Sequence, residues 1–386
     1  MSRCRVVIIA DDLTGALDAA APFASRGADA RVVVSLERLE RCLANWEGDY
    51  PQVLAVNTES RHLHADEAAA RVADAARQLD RVAPELWFKK VDSTLRGQVI
   101  AESLALRKAT GRRLLVAPAV PTQGRVVRDA EVWVEGMPLT ESAYAKDARS
   151  APLIGPLDHA FAVRGVDLSR HQPESYSLPD HDCVADAASD QDLARLYDAV
   201  LFTSGMWLMV GAAGLATAIA QRCFGRLTAS TIALQRVPQR LYVVGSRSAR
   251  AVEQCSLLQA SAPSLPVLHA LADHWPDTLV PQLLLVPGGE DEAHDPWFIA
   301  QAMGRGVAKV LATWLPEASG LLFLTGGDIA MAALDELGVG FIQVEAEWAP
   351  GVPLGRLDGD SHRLVMTKAG GFGMPDLLQR LHQGFH

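Results

Sequence analysis

The feature that most constrains this chain is a recurring unit. A short, unbroken apolar run stops abruptly at polar or glycine-rich residues, and a helical pattern then follows. RVVIIA, ARVVVSL, VLAVNTES, LWFKKVDS and RLLVAPAV lie within residues 5–120, and RLYVVGSRS, QLLLVPGG, GLLFLTGGD and RLVMTKAGG lie after residue 238. Runs this apolar on successive residues fit strands covered on both faces, the condition of a parallel sheet flanked by helices. Between them, Leu13–Arg26, His64–Leu79 and Ile100–Thr110 place apolar residues at helical spacing, with Gly27 positioned to end the first. This alternation predicts βαβ units, and the expected fold class is α/β: two α/β domains with mainly parallel sheets.

Against about 150 residues per domain, 386 residues suit two or three domains, and the strand pattern gives two, with the boundary falling near 225–238. Residues 145–195, with prolines, scattered histidines and weak periodicity, read as irregular. The uncharged stretch VLFTSGMWLMVGAAGLATAIAQ is as long as a membrane span, but glycines interrupt it. A buried strand at 200–203, a loop through Gly211 and a helix over Ala213–Arg222 explain it better, so no membrane association is expected.

Lys+Arg number 36 against 46 Asp+Glu, a net charge of −10, which argues against nonspecific nucleic-acid binding. Anionic small molecules remain open, because local cation clusters can outvote the global charge. The five cysteines are scattered, with neither CxxC nor HExxH, and MSRCRVVIIADD has no signal-peptide pattern. Reduced thiols in a cytoplasmic protein, able to form a homo-oligomer, are the expectation.

In open parallel sheets, ligands gather outside the carboxyl ends of the strands. In the first half those ends read Asp11-Asp12-Leu13-Thr14-Gly15, Asn57-Thr58-Glu59-Ser60-Arg61, Lys89-Lys90-Val91-Asp92-Ser93-Thr94-Leu95-Arg96-Gly97 and, from Pro118, a stretch reaching Arg125. One Asp, Ser or Thr there is an ordinary helix cap. Several ends collecting carboxylates, cations and hydroxyls would cost folding energy unless a polar ligand used them. Arg61, Lys90 and Arg96 suit a carboxylate, and the aspartates suit hydroxyl groups, so a small hydroxy acid fits. In the second half the ends are Gly245-Ser246-Arg247-Ser248, Thr325-Gly326-Gly327-Asp328 and Lys368-Ala369-Gly370-Gly371. Glycine there lets backbone N–H groups approach phosphate oxygens, although tight turns are the plainer alternative. Neither a P-loop nor a Rossmann fingerprint is present.

Taken together, IIADDLTGALD, NTESR, KKVDSTLRG, APAVPTQGR, VWVEGMPLTES, GAAGLA, VVGSRS, LTGGDIA, PGVPLGRL and TKAGGFG span most of the chain. In this order they resemble the four-carbon acid sugar kinase family. The resemblance implies phosphorylation of threonate, erythronate or 3-oxo-tetronate with ATP and Mg2+. It also implies an acid-sugar-binding domain (1–228) and a nucleotide-binding domain (238–386), with substrate and nucleotide meeting in the interdomain cleft. By the same resemblance, Asp11, Arg61, Lys90, Asp92 and Ser93 would bind substrate, and Arg125 is a further candidate on that side. Ser246, Gly326, Gly327, Asp328, Gly370 and Gly371 would bind ATP, with Asp328 the candidate for magnesium. Asp11 or Asp12 would orient and deprotonate the terminal hydroxyl, Arg61 with Lys90 would hold the carboxylate, and Arg96 or Arg125 would neutralise the transferring phosphoryl group. Two positions depart from the family pattern: Ala212 stands where serine is frequent, and Ile329 where a hydroxyl residue usually follows TGGD. They motivate one rival, a binding protein without catalysis. A second rival is a phosphatase with an aspartate nucleophile, for which the Asp-Asp-x-Thr spacing is wrong.

Overall fold

The computed structural model describes residues 3–384 apart from 147–149, 176, 204, 229–233, 235–236, 273, 276–279 and 289–293. It divides into two compact units, Met1–Thr228 and Ala229–His386.

The first unit runs β1 (Val6–Ala10), α1 (Leu13–Ala24), β2 (Ala30–Val33), α2 (Leu39–Asn45), β3 (Val53–Asn57), α3 (Ala65–Leu79), β4 (Leu86–Lys90), α4 (Val99–Thr110) and β5 (Arg113–Ala117). A three-stranded antiparallel ribbon follows: β6 (Arg125–Arg128), β7 (Glu131–Val134) and β8 (Met137–Pro138). Then come α5 (Leu157–Ala162), β9 (Ser169–His171), β10 (Cys183–Ala185), α6 (Asp190–Leu201), β11 (Trp207–Gly211) and α7 (Ala213–Phe224). The main sheet has the order β2-β3-β1-β4-β11-β5-β10-β9 with every neighbouring pair parallel. Its runs are apolar on both faces because helices cover both. Every residue of β1 and β3 is buried.

Register decides what the sheet presents. Asn57 pairs with Ala10, Ala10 with Lys90, Lys90 with Gly211, and Gly211 with Ala117. Five strands therefore end level, and the residues after them share one rim. The sequence order reverses around β1, which is flanked by β3 and β4, and such a reversal opens a crevice at the carboxyl ends.

The second unit contains β12 (Gln239–Val244), α8 (Ala249–Ser261), β13 (Val267–His269), β14 (Gln282–Val286), α9 (Pro296–Leu311), β15 (Gly320–Thr325), α10 (Gly327–Glu336), β16 (Phe341–Ala349), β17 (Val352–Leu357), β18 (Arg363–Lys368) and α11 (Leu377–Gln383). Its strand order is β13-β14-β12-β15-β18-β17-β16. The first four pairings are parallel, and β18-β17-β16 continue antiparallel. Tyr242, Phe323 and Met366 on the sheet pack beneath Leu258 of α8 and Leu377, Leu378 and Leu381 of α11.

Two sequence expectations are corrected. The strand placed at 200–203 is the end of α6, and the loop up to Gly211 contains β11. A capping box starts α6: the Ser189 side chain accepts from the Asp192 amide, and Asp192 accepts from the Ser189 amide. Leu193, Leu196, Tyr197 and Ala199 then bury one helical face through the start of the uncharged stretch. Residues 145–195, read as irregular, contain α5, β9, β10 and the first half of α6. Those strands are only three residues long, too short to show a period.

Candidate active site

The rim of the first unit is built on charge pairing. Asp11 follows β1 and is buried. Arg61, four residues beyond β3, donates through Nε to Asp11 Oδ2 at 2.8 Å and through Nη2 to Asp11 Oδ1 at 2.9 Å. The same guanidinium reaches both Asp12 oxygens at 2.8 Å. Asp12 also caps α1, accepting from the Gly15 amide at 2.8 Å and the Thr14 hydroxyl at 2.5 Å. One arginine thus clamps two adjacent aspartates, because β1 and β3 are neighbours ending at the same level. Burial alone would raise the Asp11 carboxyl, but Arg61, Lys89 and Lys90 outweigh it and hold it below its ordinary value. Burial alone would likewise loosen the Arg61 proton, but Asp11, Asp12 and Asp92 raise it well above the usual arginine range.

Lys90, at the end of β4, is buried and donates to the Val91 carbonyl at 3.0 Å. A Cβ placed on Gly15 would stand 2.5 Å from Asp12 Oδ1 and 3.4 Å from Lys90 Nζ, so the lysine and the aspartate flank that glycine. Asp92 is gripped by Arg96 through Nε at 3.0 Å and Nη2 at 2.9 Å, and by the Thr94 amide and hydroxyl. Burial would raise its carboxyl, but Arg96 and Arg61 drive it far below the ordinary range. Ser93, half-buried in this turn, has no hydrogen-bond partner among the described residues. Gly97 closes the turn with φ +84°, and a Cβ there would lie 2.8 Å from Asp11 Oδ2. The structure therefore brings Asp11, Asp12, Arg61, Lys90 and Gly97 together, with Asp92 and Arg96 beside them. Arg125, the first residue of β6, bonds instead to Gln123 and to the Tyr144 hydroxyl at 3.0 Å.

Sequence reasoning missed the support beneath this cluster. Lys89 and Glu102 are both fully buried and paired at 2.8 Å. Lys89 Nζ also donates to the carbonyls of Lys90 at 2.7 Å and Ile9 at 3.4 Å. Glu102 accepts from Ser60 Oγ at 2.5 Å, and Ser60 bonds to Thr58 at 2.7 Å. The signal was the Lys-Lys doublet itself. Adjacent strand residues face opposite sides, so one lysine of a doubly covered strand must point away from the rim.

In the second unit, Ser246, Gly326 and Gly370 come together. A Cβ on Gly370 would fall 2.0 Å from Ser246 Oγ, and one on Gly326 (φ +99°) would lie 3.9 Å from Ser246 Cβ. Nothing lies within 4 Å of the corresponding point on Gly371. Ser248 caps α8 by accepting from the Ala251 amide at 3.2 Å. Gly327 begins α10 and Asp328 lies in its first turn. Gly326 and Gly327 leave the start of α10 bare, and Gly370 lets its loop close on Ser246, just ahead of α8; exposed backbone of this kind fits a phosphate group. No cluster of three or more His, Cys, Asp or Glu side chains able to hold a metal occurs among the described residues. Magnesium on a nucleotide needs only one or two protein carboxylates, its other ligands being water and phosphate oxygen, and Asp328 suits that count. The Ile329 departure has a packing role: its Cδ1 lies 2.2 Å from the point a Gly245 Cβ would take, filling the space over that glycine.

A parallel-sheet unit with a charge-paired rim and a second unit with glycine turns at its strand ends define a two-part small-molecule-binding α/β protein. A family model described as a sugar-binding N-terminal domain matches residues 6–154, and one described as a nucleotide-binding C-terminal domain matches 288–378. The chain is 32% identical to a D-threonate kinase of Bordetella bronchiseptica, over 97% of this chain and 96% of that protein. It is 26% identical to a D-erythronate kinase of Heliobacterium modesticaldum, over 96% and 94%. The chain belongs to the four-carbon acid sugar kinase family. A solved Haemophilus influenzae protein shares the fold, with a TM-score of 0.72 at 18% identity over 98% of this chain and all of that one. A Bordetella bronchiseptica structure described as a citrate-bound, domain-swapped dimer has a TM-score of 0.53 at 30% identity, covering 98–99% of each chain. Among the described residues, no helix is long and apolar enough to cross a membrane.

Proposed function

We propose that this protein is a kinase that transfers the γ-phosphoryl group of ATP to the terminal hydroxyl of a four-carbon sugar acid, D-threonate first among the candidates. The observation that carries the reading is the Asp11–Arg61–Asp12 clamp beside Lys90 on one rim. It supplies hydroxyl acceptors and a cation, the two kinds of group that a small polyhydroxy acid needs. Among the described residues, four donors engage Asp12, whereas Arg61 alone engages the Asp11 side chain. Asp11 therefore keeps acceptor capacity, and the bare Gly97 leaves an approach to its Oδ2. Asp11 takes the hydrogen bond from the reacting hydroxyl and orients its oxygen; Asp12 fixes Arg61. Because Arg61 and Lys90 hold Asp11 ionised, it is a firm acceptor and a weak base, so it takes the hydroxyl proton late, as the new O–P bond forms and the bond from the γ-phosphorus to the departing ADP breaks. That suffices for phosphoryl transfer through a loose transition state, where positioning and charge dominate. The Lys90 ammonium meets the substrate carboxylate, assisted by the remaining donor of Arg61, with Ser93 bonding a further hydroxyl.

ATP supplies the transferable phosphoryl group and Mg2+ offsets its charge. Ser246, Gly326, Gly327, Gly370 and Gly371 would hold the phosphates, and Asp328 the ion. Arg96 is committed to Asp92, and Arg125 is distant from the clamp in sequence and partners. Both serve the shape of the substrate side rather than the transferring group. The relatives named as D-threonate and D-erythronate kinases support the substrate class. Five cysteines present as thiols suit a reducing cytoplasm, and the dimeric neighbour supports a homo-oligomer.

The test is ADP release with Mg-ATP against D-threonate, L-threonate, D- and L-erythronate and 3-oxo-tetronates, beside Asp11→Asn. Turnover on D-threonate, reduced at least a hundredfold in the variant, is the expected result. Turnover on none of these acids, or an undiminished variant, overturns the reading.

A further inference from the structure

The carboxyl end of β18 carries a buried cation whose position the packing of the second unit does not require. Lys368 is 1% exposed and is the last residue of its strand. It pairs with Thr325, which pairs with Val244, so the three stand in one row on one face of the sheet. Two residues earlier, the same face carries Met366, Phe323 and Tyr242, all in the core under α8 and α11. A leucine or methionine would complete that row without a desolvated charge. No carboxylate lies within ion-pair distance of Lys368 among the described residues, and a buried ammonium with no anion is costly. Its Nζ instead turns back onto its own loop, donating to the carbonyls of Ala369 and Gly370 at 3.0 Å each.

Those two bonds determine what the loop offers. In a trans peptide the C=O and the following N–H point in opposite directions. Drawing the Ala369 and Gly370 carbonyls inward turns the amides of Gly370 and Gly371 away from Nζ, side by side. Neither amide has a partner among the described residues. Ser246 Oγ stands against Gly370, and the space over Gly371 is open. Two adjacent outward N–H groups with a cation behind them make a concavity for one phosphate.

We propose that Lys368 is a positioning residue for the nucleotide phosphates, holding the Gly370 and Gly371 amides outward and placing a positive charge directly behind them. The inference rests on the nucleotide reading of this unit. Burial, with Arg250 of α8 adding to it, lowers Lys368 to about 8. Its pairing partner on β15, Thr325, and the nearby Ser246 and Ser248 are uncharged. The free protein therefore loses this charge as pH rises through 8, and phosphate binding opposes the loss. Magnesium-ADP affinity should be steady below pH 8 and weaken above it.

The experiment is calorimetric titration of the full chain with magnesium-ADP at pH 7.0 and 9.5, with thermal melts on every variant. Wild type should show a dissociation constant higher by up to about 30-fold at pH 9.5, the ratio set by 1.5 pH units above a pKa of 8. Lys368→Arg, which stays charged, should change by less than threefold over that interval. Lys368→Met should bind at least tenfold more weakly at pH 7.0 and show no pH dependence. A flat wild-type profile, or an arginine variant that weakens as wild type does, overturns the proposal while leaving nucleotide binding intact. If the methionine variant fails to melt cooperatively, the wild-type and arginine profiles decide. Absence of wild-type binding at pH 7.0 removes the nucleotide reading and the proposal with it.

Discussion

At the scale of single residues, the first unit's rim is held by ion pairs whose value depends on burial and pH. Asp92 shows the sign. Its carboxyl is about 3.8 in the unfolded chain and is held far below that by Arg96 and Arg61 in the folded one. The pairing therefore stabilises the protein fully above about pH 5 and is lost progressively as pH falls through 3.8 and below. Asp92→Asn should cost about 1–3 kcal/mol at pH 7, and its deficit against wild type should shrink between pH 5 and 3 in thermal melts. A deficit constant with pH would mean that the carboxylate charge contributes nothing. Lys89 and Glu102 make a different case, because both are sealed from water. Removing one leaves an uncompensated buried charge, so Lys89→Met or Glu102→Leu alone should lose about 3–5 kcal/mol, and the double variant should recover most of it. Urea unfolding of the four proteins measures this. If stability returns and turnover does not, the pair is kept for what it does to the carbonyls of Ile9 and Lys90 and, through Ser60, to the chain leading into Arg61.

At the scale of elements, what was legible follows from how many neighbours a signal needs. Buried parallel strands announce themselves in one dimension, and the ends of β1, β3 and β4 were readable because an apolar run stops there. That Arg61 grips Asp11 and Asp12 is not a property of any segment. It requires β1 and β3 to be adjacent and level, which is known only once the sheet exists. Within 200–211 the absence of charge erased the contrast between helix and strand, while the capping signal at Ser189 and Asp192 lay eight or more residues upstream. The antiparallel pair β16–β17 had a signal in Pro350-Gly351, two turn-forming residues between apolar stretches, but no chemistry drew the eye to it. The GAAGLA segment is explained at this scale as well. A Cβ on Gly214 would meet the Ala119 carbonyl oxygen at 2.4 Å and Leu193 Cδ1 at 3.0 Å. Glycine lets α7 approach the loop after β5, where the Ala119 carbonyl and, at 3.2 Å, the Val120 Cα are backbone atoms that cannot turn aside as a side chain can. Gly214→Ala should destabilise by about 1–3 kcal/mol even though alanine favours the helix, read as a lower melting temperature. An unchanged or higher melting temperature would mean that the helix simply shifts.

At the scale of the whole molecule, the division of labour between the units becomes a prediction about fragments. Each unit has its own buried core, so each should fold alone. Where the second begins matters. The sequence boundary at 238 falls one residue before β12, yet Leu234 and Val237 lie buried in that unit's core. Their carbonyls also accept from the buried Arg240 guanidinium, at 2.8 Å to Nη2 and 3.0 Å to Nε, while Leu381 and His382 serve its Nη1. A fragment starting at 238 removes two core side chains, each worth up to about 3 kcal/mol, and leaves two guanidinium nitrogens without their acceptors. The fragment 229–386 should therefore melt cooperatively and bind magnesium-ADP, whereas 238–386 should melt lower by well over 5 °C or fail to fold. The fragment 1–228 should bind D-threonate without nucleotide. Equal stability of the two carboxyl-terminal fragments would show that Arg240 finds other acceptors. Acid binding by 229–386, or nucleotide binding by 1–228, would overturn the assignment of one ligand to each unit.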